Sequence, residues 1–203
     1  MSIKSYSQRD EQEVILRLFN ALPTGRLLDI GAYRPDTFSN TRALLDQGWC
    51  GVLVEPSPGP FLSLLDHYGD NPNVQLVNAA ITKNDGLVEF FDARGDAVSS
   101  TDAEHVKRWS KHSKFRTFFT RGLTLSDLMG HVGIDLDFIN IDVEGQNFWL
   151  LQEFVTNHLV WRATLKVICI EHDSRVHEMA NLVGAFKFKL VHTTAENAIF
   201  CRS

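Results

Sequence analysis

Polar side chains stand directly behind five apolar runs of this sequence. Asp29, Gly31, Ala32 and Tyr33 follow or close the first, Glu55-Pro56-Ser57 the second, Asn78-Ala79-Ala80 the third, Asp142-Val143-Glu144-Gly145 the fourth and Glu171-His172-Asp173 the fifth. In an open parallel sheet, ligands gather outside the carboxyl ends of the strands, so this placement marks a binding rim. A glycine straight after a buried strand, as at Gly31, lets the backbone turn and approach a ligand, and a helix that follows offers free N–H groups to an anion. The same D-x-G pattern also serves simple turns. Asp29 would orient that loop or meet a ligand's amine. Glu55 lies 24 residues beyond Gly31 (55 − 31), close to the spacing of roughly 20 at which nucleotide-binding sheets set an acid on a ribose diol. Each carboxylate oxygen there accepts one hydroxyl proton; a solvated strand-end acid is the alternative.

Asp142, Glu171 and His172 bring two carboxylates and an imidazole to the ends of two runs that such a sheet makes neighbours. The set could hold Mg²⁺ or Mn²⁺ and acidify a bound hydroxyl. Alternatively His172 acts as the base, since an ordinary imidazole titrates near neutrality. The purely structural reading pairs Glu144 or Glu171 with a cation and leaves His172 capping the next helix.

The elements that must position these groups alternate. Apolar residues at helical spacing predict helices over 8–22, 38–47, 60–68, 125–131, 147–157 and 175–183, the first of them stopped by Pro23. Short apolar runs predict strands at 27–31, 52–54, 73–80, 87–91, 138–141 and 166–170. Runs at 186–191 and 198–201, joined by Thr193-Thr194-Ala195-Glu196-Asn197, predict a closing hairpin. The fold class expected is α/β, a mainly parallel sheet with helices on both faces and one antiparallel strand from the hairpin. Residues 92–122 lose periodicity and are expected to form an inserted, lid-like segment. A stretch at 107–121 there interleaves Lys107, Arg108, Lys111, Lys114, Arg116 and Arg121 with Trp109, Phe115, Phe118 and Phe119. That pattern suits a single strand of nucleic acid or, more simply, an amphipathic cover. His105, His112 and His131 have no partner at ligand spacing and are expected to be solvated or locally bonded. Trp149, Leu150 and Phe154 read as core.

At 203 residues the chain suits one domain over 1–203, with an N-terminal helix within 1–25. Its 44% hydrophobic and 22% charged shares exclude disordered and disulfide-framework classes. A net charge of −5 disfavours extensive binding to a phosphate backbone. Cys50, Cys169 and Cys201 are too far apart for a metal or redox pair and read as buried reduced thiols. Together with these thiols, the polar first ten residues and the lack of a long apolar window lead us to expect a cytoplasmic chain without a membrane span. Oligomeric state is left open.

The ordered series L-L-D-I-G-A-Y (27–33), S-N-T (39–41), G-W-C-G-V-L-V-E-P-S-P (48–58), D-F-I-N-I-D-V-E-G (137–145) and the closing N-A-I-F (197–200) resembles the FkbM family of methyltransferases over about residues 26–202. The resemblance implies a Rossmann-like class I fold with a seven-stranded sheet. It also implies S-adenosyl-L-methionine as cofactor and O-methylation of a sugar, polyketide or other small molecule. By position it sets Asp29, Gly31, Ala32 and Tyr33 against the methionine end of the cofactor and Glu55 against its ribose. Pro56, Ser57 and Ala79 would surround the adenine, Ser39 joins the cofactor set, and Asp142 would stand close to the transferring methyl. The acids after two strands are also similar in arrangement to those of metal-dependent catechol-type methyltransferases. One departure falls at Tyr33-Arg34-Pro35-Asp36, where relatives continue with a second glycine. Proline has no N–H to donate, so the methionine carboxylate would be held differently. Two other readings are a methyltransferase for a nucleic-acid end, gripped by 107–121, and a cofactor-binding module without turnover.

Overall fold

The computed structural model describes residues 4–133, 135–157 and 164–203. Along them run α1 (Glu11–Leu18), β1 (Arg26–Ile30), α2 (Arg42–Asp46), β2 (Cys50–Val54), α3 (Pro58–Tyr68), β3 (Val74–Val77), β4 (Ala80–Ile81) and β5 (Gly86–Asp92). There follow α4 (Ala103–Trp109), β6 (Arg116–Leu123), α5 (Leu125–Val132), β7 (Phe138–Ile141), α6 (Asn147–Asn157), β8 (Val167–Glu171), α7 (Val176–Gly184), β9 (Phe188–Thr193) and β10 (Asn197–Arg202).

Seven strands form one sheet in the order β3-β2-β1-β7-β8-β10-β9. It is parallel from β3 to β8, and β10 alone runs antiparallel to its neighbours. The chain builds outward from β1 in one direction and then, through β7, in the other. The strand order therefore reverses between β1 and β7, and a crevice opens there at the carboxyl ends. Successive side chains of a strand face opposite sides, and each face here has its own core. Leu28, Ile30, Val52, Val54, Ile139, Ile141, Ile168 and Ile170 pack beneath α5, α6 and α7. Leu27, Leu53, Phe138, Val167 and Ile199 pack with Ile15, Phe19, Leu44, Trp49 and Leu64 on the side of α1, α2 and α3. Each such side chain contributes about 1.5–3 kcal/mol by leaving water. Both faces being covered is why these strands read as continuous apolar runs.

A smaller sheet, ordered β4-β6-β5, flanks the carboxyl rim. The stretch 92–122, which lacks periodicity in the sequence, holds α4 and most of β6, and β6 pairs along the whole of β5. Strand 73–80 is likewise divided. β3 joins the large sheet, β4 joins the small one, and between them Asn78 Nδ2 donates to the Glu55 carbonyl at 2.8 Å. The helix expected over 38–47 is confined to α2 because Phe38 adopts φ 59° and the Ser39 hydroxyl accepts from Arg42 N at 3.1 Å, starting the helix there. The three cysteines are free, but Cys50 is exposed and only Cys169 is fully buried. No helix among the described residues is long and apolar enough to cross a membrane.

Asp29 points into the α1–α3 side of the sheet and is 2% exposed. A buried acid needs donors, and it has two: Thr41 Oγ1 at 2.6 Å and Asn140 Nδ2 at 2.8 Å. Asn140 sits opposite Asp29 in the β1–β7 register, and its own oxygen accepts from Asn40 at 3.1 Å. This ladder fastens the segment before α2 to the strand ends. Replacing Thr41 with Val keeps the shape and removes the donor. We expect a loss of about 1–3 kcal/mol, read as a lower midpoint in denaturant unfolding; an unchanged midpoint would show that the bond adds nothing.

Candidate active site

The rim begins at Gly31, which adopts φ 87°. A Cβ there would lie 1.7 Å from the Asp142 carbonyl oxygen, so only glycine lets the β1 turn lie against the end of β7. Asp142 N donates to the Ile30 carbonyl at 2.8 Å, closing the same contact. The amides of this turn are spoken for. Gly31 N and Ala32 N both donate to the Val54 carbonyl, at 2.9 and 3.0 Å, and Tyr33 N donates to Glu55 Oε2 at 2.9 Å. No helix starts directly after the glycine, so the expected free N–H cradle for an anion is absent at residues 31–33. Tyr33, at φ 50°, instead turns its hydroxyl to the Gly95 carbonyl at 3.2 Å and its ring towards Phe38.

Glu55, at the end of β2, is 6% exposed and takes a backbone donor on each oxygen, Tyr33 N on one and Ser57 N at 2.7 Å on the other. These bonds fix the plane of the carboxyl and leave each oxygen one further acceptor position. The Ser57 hydroxyl in turn donates to buried Asp92 at 2.6 Å.

Across the crevice, Asp142, Glu144 and Glu171 each present an oxygen within 4.8 Å of the others. Glu144 is held at φ 48°, an uncommon backbone conformation for a residue with a Cβ. Asn147, fully buried at the start of α6, orients the group: its Nδ2 donates to Glu171 at 2.6 Å while its oxygen accepts from Val143 N at 2.8 Å. Helix α4 closes the side. A Cβ on Gly145 would lie 2.9 Å from Asp102 and 3.0 Å from His105, so the glycine of D-V-E-G is what admits the helix. Ser100 Oγ donates to the Glu144 carbonyl at 2.6 Å and ties the segment down.

Between these walls lies a cavity of about 450 Å³, within the range usual for small-molecule sites. Its lining includes seven acids, Asp29, Glu55, Asp96, Asp142, Glu144, Glu171 and Glu196, and no lysine, arginine or histidine among the described residues. Loss of solvent shifts these carboxyls upward, and repulsion adds to it at Glu55, Asp142, Glu144 and Glu171. Asp29 rises to about 6 and Glu55 to about 7, the latter also through Asp29 and Asp142. Burial likewise pushes Asp142 up to about 7, with Asp29 and Asp173 adding repulsion, and it pushes Glu144 and Glu171 further, with Asp142 the next cause for each.

Of the residues singled out in the sequence, Asp29, Gly31, Ala32, Tyr33, Glu55, Pro56, Ala79, Asp142 and Glu171 line this one cavity. Ser39 and Ser57 stand behind it, one starting α2 and the other bracing Glu55. His172, grouped with Asp142 and Glu171 in the sequence, does not line the cavity: its Nδ1 accepts from Ser174 N at 3.0 Å and it shapes the turn before α7. Glu144 takes that place, with no lysine or arginine paired to it among the described residues. His105 departs from expectation too, being 3% exposed with Nε2 3.4 Å from Glu144 Oε2. His131, in contrast, bonds locally to the Asp127 carbonyl. Trp109 projects into the lining, whereas Lys107, Arg108 and Lys111 do not. Glu144 was visible in its motif; His105 and Asn147 carried no spacing signal.

The cavity suits S-adenosylmethionine on its charge and its fittings. The ligand bears positive sulfonium and ammonium groups, the walls are acidic, and Asp142 Oδ1 is buried without a hydrogen-bond partner. Comparisons agree. The Methyltransferase FkbM domain matches residues 29–188. A search of curated proteins returns no match. Solved structures share the fold at low identity. A candidate methyltransferase, yhhF of Escherichia coli, has TM-score 0.54 at 12% identity, covering 98% of this chain and 89% of its own. The METTL16 methyltransferase domain has TM-score 0.54 at 11% identity, covering 94% and 65%. Monomeric WbdD has TM-score 0.54 at 8% identity, covering 97% and 41%. With the family's match spanning most of the chain and the acid-lined crevice at the switch point of its sheet, this protein belongs to the FkbM methyltransferase domain family and is an S-adenosylmethionine-dependent methyltransferase.

Proposed function

We propose that the chain is an O-methyltransferase for a hydroxyl on a small, uncharged acceptor such as a sugar or another polyol. The observation that carries this reading is the cavity wall, with seven acids and no cation among the described residues. A phosphate-bearing acceptor would be repelled there, and the cations of α4 that would grip a nucleic-acid end stand outside the lining. Exposed Phe38 and Trp109 at the same cavity offer apolar faces to an acceptor's ring.

Glu55 would take the ribose hydroxyls on its two remaining acceptor positions. Asp29, Gly31, Ala32 and Tyr33 would form the wall at the methionine end, and Pro56 and Ala79 the apolar surface for adenine, with Ser39 and Ser57 supporting from behind. When bound, S-adenosylmethionine supplies a methyl group on a positively charged sulfur. For that methyl to pass to a hydroxyl oxygen with loss of the carbon–sulfur bond, the acceptor would have to give up its proton to the protein. Asp142 and Glu171 stand where such a proton can be received, directly or with Mg²⁺ or Mn²⁺ held there. A carboxyl raised to about 7, as at Asp142, is well matched to accept a proton near neutrality. His172 acts here by positioning the turn behind Glu171. Three free thiols, one of them exposed, support a reducing, cytoplasmic setting.

Two outcomes test this reading. Labelled cofactor offered to a panel of sugars, polyols and short RNAs should methylate a neutral hydroxyl acceptor, and Asp142→Asn should lower turnover roughly 10²–10⁴-fold; product on RNA alone would sink the proposal. In calorimetry, Glu55→Ala should weaken S-adenosylmethionine roughly 10–100-fold, as expected for lost bonds to a charged group. Because Asp29 and Glu55 titrate near 6 and 7 in the free protein, a cationic ligand that favours their ionised forms must release protons. Affinity should therefore rise as pH rises from about 5.5 to 7.5, approaching tenfold per unit where one proton leaves. Affinity that is flat or falling across that window would remove these carboxyls from the binding step.

A further inference from the structure

The cofactor's amino-acid end carries an ammonium and a carboxylate, and the turn after β1 has no free N–H for the latter. The N–H groups of residues 31–33 are bonded within the protein, and Pro35 has none to give. No lysine, arginine or histidine lines the cavity among the described residues. A carboxylate that enters a wall of acids still needs donors. A strap over residues 6–12, which crosses the carboxyl rim, brings one. Its Tyr6 carbonyl accepts from Ser39 N at 3.0 Å, beyond the β1 turn. At its other end buried Glu11 accepts from Thr194 Oγ1 at 2.7 Å and Asn197 Nδ2 at 3.2 Å. Gln12 holds the strap's shape, accepting from Tyr6 N at 2.9 Å and donating to the Lys4 carbonyl at 2.9 Å. Between these anchors Gln8 lines the cavity, and its carboxamide is bonded to no described residue.

Glu196, in the turn between β9 and β10, lines the same cavity. Its carbonyl accepts from His172 N at 2.9 Å, which sets it beside the end of β8. One carboxyl oxygen, Oε1, meets Arg9 Nη2 at 3.4 Å, a pair whose arginine is 59% exposed. The other, Oε2, is buried without a hydrogen-bond partner. Buried polar atoms in folded proteins are bonded almost without exception, so an unpartnered oxygen in a cavity wall marks the place of a ligand's donor. The strand order says which end of the ligand this is. Glu55, proposed for the ribose, follows β2, and β7 lies two strands further, roughly 10 Å away, which is the reach of a methionyl group from its ribose. Gln8 and Glu196 enter from the β8–β10 side, opposite Pro56 and Ala79. We infer that strap and turn clamp the amino-acid end of S-adenosylmethionine: the Gln8 carboxamide donates to its carboxylate, and Glu196 Oε2 accepts from its ammonium. The clamp rests on the cofactor placement proposed above. Both residues lie outside the 29–188 that the family's domain matches, so neither is carried by its motifs.

Calorimetry on the full chain with three ligands tests it: S-adenosylmethionine, its decarboxylated form, which keeps the sulfonium and the amine, and its deaminated form, which keeps the carboxylate. Gln8→Ala should weaken S-adenosylmethionine roughly 10–100-fold, as loss of a bond to a charged group does, and leave the decarboxylated form unchanged. Glu196→Ala should weaken S-adenosylmethionine and the decarboxylated form by a similar factor and leave the deaminated form unchanged. Glu196→Gln, which keeps an acceptor oxygen, should recover part of that loss. Arg9→Ala removes only an exposed ion pair and should leave all three affinities within about threefold. Thermal unfolding checks that each variant is folded; should Glu196→Ala fail to fold, Glu196→Gln carries the same test through a loss confined to the ligands with an amine. A Gln8→Ala loss as large for the decarboxylated form overturns the carboxylate contact. A Glu196→Ala loss as large for the deaminated form, or matched by Arg9→Ala, overturns the ammonium contact. S-adenosylmethionine weakened by Glu55→Ala but indifferent to Gln8→Ala and Glu196→Ala defeats the clamp alone, whereas no binding by wild type defeats the functional reading and the clamp with it.

Discussion

Buried and half-buried carboxylates crowded at one edge of a parallel sheet are the interaction around which this structure is arranged. Taking one carboxylate out of water costs several kcal/mol even after relaxation, and neighbours of the same sign add to it. Asp29, Glu55, Asp142, Glu144 and Glu171 all bear that cost, and their carboxyls are all shifted upward by burial first. The fold offsets part of it with dedicated donors: Thr41 and Asn140 for Asp29, two backbone amides for Glu55, and Asn147 for Glu171. Asp142 and Glu144 are left short of partners, and the remaining compensation must come from protons or from a positively charged ligand. A ligand of that kind binds the folded chain alone and so stabilises it by mass action.

The same crowding explains the backbone at the rim. Tyr33 and Glu144 both adopt positive φ, a conformation that costs free energy for residues with a Cβ and that persists only where the surroundings enforce it. At Tyr33 the enforcement is the hydrogen bond its backbone N–H donates to Glu55 and the one its hydroxyl donates to the Gly95 carbonyl. At Glu144 it is Ser100, which grips the carbonyl, and Gly145, which leaves room for α4. Local strain, helix docking and the acid cluster are thus one construction, and a change at Gly31 or Gly145 would be felt at the carboxylates through backbone contacts rather than through charge.

The order of side chains within the sequence determined much of this protein. Apolar runs of four or five residues between helical stretches specify a sheet buried on both faces, and residues that follow such runs must gather at one edge. That is why Asp29, Gly31, Glu55, Asp142 and Glu171 were legible as one rim, and why the family was legible in the motifs that contain them. Placement by element end is a property of chain direction in a parallel sheet and needs no knowledge of packing.

Tertiary structure decided what direction alone could not. Strand end places a residue at the rim but does not say which way its side chain turns. His172 and Glu171 are adjacent, yet one bonds its own turn and the other faces the cavity, because successive side chains diverge where β8 ends. His105 lies 37 residues from Asp142 (142 − 105) in a stretch without periodicity, and only the docking of α4 on Gly145 brings it to Glu144. Asn147 reads as an ordinary first residue of a helix until its side chain is seen between Val143 and Glu171. The Gly31 and Ala32 amides, which a glycine turn would free for a ligand, are consumed by the β2 carbonyl of Val54. In each case the deciding contact joins segments distant in the chain, and its existence depends on how closely two backbones approach, which residue type and spacing do not encode.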